Sequence, residues 1–398
     1  MTKYQEEESL KELGLLAITA GAEVVDSILQ DRRSIDSATL IGKGKVHQIA
    51  RRATELKANL VIFDTELSPI QVKNLNQAIH QKIIDRSGLI LDIFAKRART
   101  REAQIQVELA QLQYLFPRLT KYWSHLSRQE AGIGTRGPGE TQLEVDRRAI
   151  RKRIERLKKE LIKIELQRKV RRKTRRDFYK VALVGYTNAG KSSLLNALSN
   201  ADAFVENRLF ATLDTTIRTL DHETRHNILL IDTIGLIRKL PHHLVATFRS
   251  TLEETVEADI LLHVVDISHP QFVEQMGSVQ VVLSELGIQN KPMITVFNKV
   301  DLLDDRRLIS SLRNRFPRVV FTSAVKGIGL MMLQDKISEC IDEEQVENEI
   351  QISIGETRKI AAIHEWTHVL VKEYENGMVK IRFRAALKDV AKINKLME

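Results

Sequence analysis

The residues with the most chemistry to offer sit at Gly185-Tyr186-Thr187-Asn188-Ala189-Gly190-Lys191-Ser192. The spacing Gly-x-x-x-x-Gly-Lys-Ser is that of a loop whose backbone N–H groups wrap a polyphosphate at a helix N-terminus. Lys191 would neutralise the β and γ phosphates, and the Ser192 hydroxyl would ligate Mg²⁺. An apolar run, Val181–Val184, precedes the loop and a helical run, Ser193–Leu198, comes after it. Such a match needs that strand–loop–helix context.

Further segments occur in a fixed order. Asp232-Thr233-Ile234-Gly235 comes after the apolar run Ile228–Ile231. Asp232 could reach Mg²⁺ through water, and the Gly235 N–H could sense a γ-phosphate. Asn298-Lys299-Val300-Asp301 comes after Met293–Phe297. The Asp301 carboxylate can accept two hydrogen bonds, from guanine N1–H and the exocyclic amine. Adenine offers no such pair, so this residue selects GTP over ATP. Ser323-Ala324-Val325, with Lys326-Gly327 behind it, would supply a backbone donor to guanine O6. Thr212, Thr215 and Thr216 lie between the loop and the second strand, and residue chemistry leaves open which completes the Mg²⁺ shell. Together these segments predict binding and hydrolysis of GTP. Leu236 stands where Ras-type enzymes hold a water-orienting glutamine. A leucine cannot hydrogen-bond water, so unaided hydrolysis should be slow.

The elements that must hold these residues are legible from periodicity. Strands at Lys180–Val184, Ile228–Ile231, Ile260–Val265, Met293–Phe297 and Val319–Phe321 alternate with helices, the pattern of a parallel α/β sheet. Ahead of it, residues 1–100 read as a small α/β unit. Leu13–Ile18 and Leu60–Phe63 are expected as strands, and Val46–Leu56 and Pro69–His80 as helices. Ile41-Gly42-Lys43-Gly44-Lys45 reads as a strand-to-helix turn, since it lacks the phosphate-loop spacing. Residues 101–178 carry two seams. Ile105, Leu109, Leu112 and Phe116 form the first, ended by Pro117; Ile150, Ile154, Leu157, Leu161 and Ile164 form the second. They predict an antiparallel helical hairpin. Residues 179–345 make the nucleotide domain, and 346–398 a small α+β domain with a hairpin turned at Glu375-Asn376-Gly377.

Charge is concentrated. Of a net +10, residues Arg147–Arg176 hold sixteen Lys/Arg against three Glu, which leaves the remainder near −3. Such density points to a polyanion, because counterion release favours phosphate backbones. The loop between the seams, Gly132-Ile133-Gly134-Thr135-Arg136-Gly137-Pro138-Gly139, is either a flexible connector or a tip facing nucleic acid. Lys121, Tyr122, Trp123, His125, Arg128 and Arg136 could meet phosphates and stack on unpaired bases. His222-Glu223-Thr224-Arg225-His226 matches a zinc-protease pattern, but its place between a switch and a strand argues against one helical face carrying both histidines.

One cysteine, Cys340, excludes an intrachain disulfide and suits a reducing compartment. The acidic start has no apolar stretch behind basic residues, so a standard signal peptide is not expected. The apolar run Ile260–Val265 is interrupted by His263 and is far too short to span a bilayer. These features predict a cytoplasmic protein without a transmembrane segment, with peripheral membrane contact left open.

The nucleotide loop, Phe210-Ala211-Thr212-Leu213-Asp214 and Asp232-Thr233-Ile234-Gly235 resemble the HflX family of ribosome-associated GTPases. So do Asp92–Ala98, Gln106–Leu112 and above all Gly137-Pro138-Gly139-Glu140-Thr141-Gln142-Leu143-Glu144-Val145-Asp146-Arg147-Arg148. The likeness covers roughly residues 10–335. It implies a P-loop GTPase domain preceded by a small α/β domain and helical hairpin, and followed by a small α+β domain. It implies that Phe210–Asp214 also touch the nucleotide and that Thr212 is the switch threonine on Mg²⁺. Lys191, Thr212 and Gly235 then act at the γ-phosphate. It further implies docking on the large ribosomal subunit, through its rRNA, and GTP-dependent dissociation of stalled or idle ribosomes. The alternative is a GTPase of ribosome biogenesis or of tRNA or rRNA maturation. No DNA partner is expected, and the chain is expected to be a monomer. The function missing at Leu236 would come from a partner surface or from K⁺ held near Asn188.

Overall fold

A computed structural model describes residues 3–31, 35–122, 142–173, 178–199, 209–210, 213–220, 226–239, 249–288, 291–303, 305, 307–343, 345–375, 377–386, 390, 393–394 and 396–397. The chain divides into two compact units. The first comprises Met1–Arg168 with Glu206–Asp214 and Ile237–Leu252; the second comprises Lys169–Val205, Thr215–Leu236 and Glu253–Glu398.

The first unit opens with helix α1 (Lys3–Thr19), which corrects the strand expected at Leu13–Ile18. Leu13, Leu16 and Ala17 are buried while Leu15 and Ile18 are exposed. Burial at i, i+3 and i+4 is a helical face, so the apolar run covers two sides of a helix. Helix α2 (Lys43–Glu55) starts from Gly42, so Lys43, Gly44 and Lys45 of the expected turn lie in its first turn. Strand β1 (Leu60–Phe63) and strand β2 (Lys82–Asp85) pair in parallel around helix α3 (Pro69–Ile79). Ser68 and Gln71 form a reciprocal capping box on α3, and Pro69 sits in its first turn. Val46, Phe63, Leu67, Val72, Leu75, Ile79 and Ile83 form the core between them.

Asp85 anchors the two helices that come after β2. Its fully buried carboxylate accepts from the N–H of Leu67 and Gly88, from the Tyr114 hydroxyl and from Arg118. Four donors offset the cost of desolvating it. It caps helix α4 (Arg86–Arg97) and ties that helix to α5 (Arg101–Tyr122). Pro117 lies inside α5 instead of ending it. Arg118 stacks on the Tyr114 ring and donates to the Tyr114 carbonyl. Helix α6 (Gln142–Lys173) packs on α5 through Ile105, Leu109 and Leu157, flanked by Leu112, Ile154, Leu161 and Ile164. Arg153 adds a two-pronged pair to Glu108. The expected seams therefore meet, while the glycine-rich tip lies outside the described residues.

The second unit is built on a six-stranded sheet ordered β4-β5-β3-β6-β7-β8. Its members are β3 (Tyr179–Gly185), β4 (Thr216–Thr219), β5 (Ile228–Asp232), β6 (Ile260–Asp266), β7 (Met293–Asn298) and β8 (Val319–Phe321). All five expected strands are present and parallel; β4 is an added antiparallel edge. After β3 the chain builds β5 to one side and β6 to the other. That reversal opens a crevice at the strand ends, where such sheets bind ligands. Helix α7 (Lys191–Ser199) packs Leu194, Leu195 and Leu198 against the buried strand residues. The last strands, β9 (Gln345–Ser353), β10 (His368–Glu375) and β11 (Met378–Ala386), form an antiparallel sheet ordered β10-β11-β9. Helix α12 (Thr357–Trp366), counted after α8 (Arg249–Glu257), α9 (Phe272–Glu285), α10 (Arg307–Arg315) and α11 (Leu330–Glu343), covers that sheet through Ile360 and Ile363.

Candidate nucleotide site

The loop from Gly185 to Ser192 leaves the end of β3 at the crevice and enters α7. Two of its glycines answer to close approach. A Cβ at Gly185 would run into the Val264 carbonyl of β6, and one at Gly190, whose φ is +92°, would run into the Asn298 amide. Asn188 takes a left-handed conformation with φ 62°, which asparagine tolerates better than most residues.

Lys191 is 6% exposed, and its ammonium donates to the carbonyls of Tyr186 (2.8 Å) and Gly185 (3.2 Å). Burial pulls its pKa down to about 8, although the charge of Asp232 opposes the shift. The loop thus holds a desolvated cation among carbonyl dipoles, where phosphate charge would stabilise it strongly. Ser192 Oγ donates to Asp232 Oδ2 at 2.6 Å. A hydroxyl and a buried carboxylate side by side are the hard oxygen donors that suit Mg²⁺.

The stretch after β5 is stitched to the loop. The Thr187 N–H donates to the Leu236 carbonyl and the Leu236 N–H donates to the Gly185 carbonyl. Gly235 passes so close that an added Cβ would lie 2.8 Å from Thr187 Cγ2 and 3.2 Å from Lys191 Nζ. Leu236 is buried, as are Thr233 and Ile234. Thr233 Oγ1 donates to the Leu183 carbonyl, so its hydroxyl is committed to holding β5's end against β3.

Asn298 fastens the base-recognition segments to the phosphate loop. Its amide donates to the Ala189 carbonyl at 3.0 Å, and its oxygen accepts from Thr322 Oγ1 and the Ala324 N–H. Lys299, with φ 65°, pairs with Asp266 at 2.7 Å. Asp301 stands exposed in a 3₁₀ turn, Val300–Leu302. Of the three residues expected to present an N–H to guanine O6, Ser323 donates to the Ile328 carbonyl and Ala324 to Asn298. Val325 is 81% exposed.

Of Phe210–Asp214, Ala211 and Thr212 lie outside the described residues. Phe210 is buried with its ring edge-on to Phe94 of α4, and Leu213 is buried too. The Asp214 carboxylate accepts from the N–H of Arg99 and Thr100 and from the Thr100 hydroxyl, at the start of α5. Phe210 and Asp214 are thus held at the α4–α5 junction, a role that sequence reasoning did not foresee.

Sequence reasoning also missed Thr322 and Asp266, which orient Asn298 and Lys299. An aspartate closing an apolar strand one strand away was the available signal. It missed His263 as well, a 3% exposed histidine on β6 held neutral with a pKa of about 4 by burial and by the field of Lys191. The zinc-protease-like segment is described only at His226, which lies 3.0 Å from Asp342. Among the described residues no helix is long and apolar enough to cross a membrane.

The sequence has relatives among known proteins. Residues 180–299 match a family model described as a 50S ribosome-binding GTPase. Residues 7–95 match a GTP-binding GTPase N-terminal model, and 97–175 a GTP-binding GTPase middle region. A GTPase HflX of Caldanaerobacter subterraneus subsp. tengcongensis is 46% identical over 384 residues, covering 95% of this chain and 87% of that protein. One from Lacrimispora saccharolytica is 47% identical over 391 residues, covering 96% and 92%. One from Escherichia coli is 40% identical over 394 residues, covering 98% and 92%.

Proposed function

Because the chain belongs to the HflX family of GTPases and is a GTP hydrolase, we propose that its GTP cycle acts on the large ribosomal subunit, dissociating stalled or idle ribosomes. The observation that carries this reading is the outer face of α6. Its apolar seam is turned into α5, which leaves Arg148, Arg151, Lys152, Arg156, Lys158, Lys159 and Lys163 exposed. A rigid helix with that much outward positive charge fits an rRNA backbone. The family description as a 50S ribosome-binding GTPase supports the same partner.

In this reading Lys191 bridges the β and γ phosphates, and loop N–H groups wrap them. Ser192, with Thr212, would hold Mg²⁺, and Asp232 would hold it through water. The metal supplies charge neutralisation at the developing phosphate oxygens. The Gly235 N–H faces the γ-phosphate, and Asp301 reads the guanine. Leu236, buried and apolar, offers the attacking water nothing. Hydrolysis is therefore slow until a ribosomal surface, or K⁺ near Asn188, orients that water. The test compares GTP hydrolysis in Na⁺ and in K⁺ with large subunits, small subunits, tRNA or buffer alone. Strong stimulation by large subunits is expected. Stimulation by tRNA alone would replace the reading with one in RNA maturation. Fast hydrolysis in buffer, equal in both salts, would remove the need for help.

A further inference from the structure

Thr187 brings to the nucleotide loop a hydroxyl that the fold itself does not use. The residue is 6% exposed. Its Oγ1 is buried and, among the described residues, has no hydrogen-bond partner. Other hydroxyls of the same site are committed: Ser192 to Asp232, Thr233 to the Leu183 carbonyl and Thr322 to Asn298. A buried hydroxyl has given up water, and leaving it unpaired is destabilising. Native folds keep few such groups, so one in a ligand site points to an acceptor that the ligand brings.

The backbone of Thr187 is already occupied. Its N–H donates to the Leu236 carbonyl at 2.8 Å, and Tyr186 and Leu236 form a parallel bridge. A donor from Thr187 to phosphate must therefore come from its side chain. The methyl of that side chain, Cγ2, lies 2.8 Å from the point where a Gly235 Cβ would sit. The Lys191 ammonium lies 3.2 Å from the same point. The hydroxyl branches from the same carbon as the methyl, and a β-branched side chain has few χ1 choices. Packing the methyl on Gly235 thus also fixes where the hydroxyl stands.

Resting on the reading that Gly235 and Lys191 meet the γ-phosphate, we infer that the Thr187 hydroxyl is a third donor to it. It hydrogen-bonds a γ-phosphate oxygen of GTP, an oxygen that GDP lacks. That oxygen stays on the phosphoryl group as it passes to water, so the bond persists into the transition state and no proton changes hands at Thr187. The hydroxyl steadies the phosphoryl group, which the buried, apolar Leu236 side chain cannot do. It leaves the attacking water unoriented, in keeping with slow unaided hydrolysis.

The test uses the full chain with Mg²⁺. It compares Thr187→Val, which keeps the shape and removes the hydroxyl, with Thr187→Ser, which keeps the hydroxyl. GDP and the β,γ-imido analogue of GTP are titrated against each. The valine variant should bind the analogue about tenfold more weakly, the size expected of a hydrogen bond to a charged acceptor, and GDP within about twofold of the parent. Its single-turnover hydrolysis should slow, and the serine variant should recover both quantities. Its Tm without nucleotide should hold or rise, because an unpaired buried hydroxyl has been removed. Gly235→Ala marks the γ-phosphate reading separately and should weaken the analogue while sparing GDP. If Gly235→Ala is selective and Thr187→Val is not, the inference is overturned and the site reading stands. If neither is selective, the γ-phosphate lies elsewhere and both fall. Equal loss of GDP and analogue in Thr187→Val, with a lower Tm, would make Thr187 a structural part of the loop and would also overturn the inference.

Discussion

Lys191 is a cation kept where a cation is costly, and its titration exposes the cost. Without nucleotide its pKa is lowered to about 8 by burial; phosphate oxygens must raise it again. Binding therefore takes up a proton near and above pH 8, and affinity falls as pH rises through that window. For a free-state pKa of about 8, GDP should bind about fourfold more weakly at pH 8.5 than at pH 7. Fluorescent-GDP titrations would show it, and a flat profile would mean that the lysine is already neutralised otherwise. His263 carries the opposite lesson. Its folded pKa of about 4 lies below the ordinary 6.5, so the unfolded chain binds the extra proton. Stability from this group is present above pH 6.5 and is lost as pH falls towards 4, by roughly 3 kcal/mol at most. Replacing His263 with Leu should flatten that part of the pH dependence, measured as the gap in Tm between variant and parent at pH 7 and pH 4.5. An unchanged gap would show that other groups govern acid stability.

At the scale of elements, the hairpin can be loosened by one residue. Leu157 is fully buried between α5 and α6, within a cluster of three buried residues among those described. Truncation to Ala should cost about 2–5 kcal/mol and separate the helices, while nucleotide affinity stays near that of the parent. Circular dichroism melts paired with GDP titration would check this; a matching loss of affinity would tie the hairpin to the nucleotide site. The seams were readable in the sequence because their 4-3-4 spacing has no strand equivalent, and the nucleotide loop because its spacing is tied to chemistry. The strand expected at Leu13–Ile18 failed for the converse reason: a short apolar run fits either a strand or two faces of a helix, and only packing decides. Pro117 misled because one proline costs a helix a single backbone hydrogen bond, which packing along the rest of the helix can outweigh. The Asp85 network, the grip of the α4–α5 junction on Phe210 and Asp214, and the fastening of Asn298 to Ala189 all join residues far apart in sequence. No local pattern announces such pairs.

Charge is divided unevenly over the whole molecule. About +13 of its formal charge lies between Arg147 and Arg176, and the remaining chain is near −3. An enzyme needing only GTP has no use for that asymmetry, since the nucleotide loop itself holds one desolvated lysine and a set of backbone dipoles. A particle whose surface is RNA does use it, because each neutralised phosphate releases counterions. Replacing Arg151, Lys152, Arg156 and Lys159, all exposed on α6, with Ala should then lower the log–log salt slope of large-subunit binding by about 3, at roughly 0.7–0.9 per contact. Hydrolysis in buffer alone should not change, as these side chains are remote in sequence from Gly185–Ser192 and lie outside the nucleotide machinery. Stimulated hydrolysis should fall with occupancy and recover at high subunit concentration. Co-sedimentation across a salt series, with hydrolysis measured in the same mixtures, gives both quantities. An unchanged slope would assign the basic helix a task other than rRNA contact. A changed slope with stimulation intact at equal occupancy would mean that the helix anchors the enzyme while another surface supplies what Leu236 lacks.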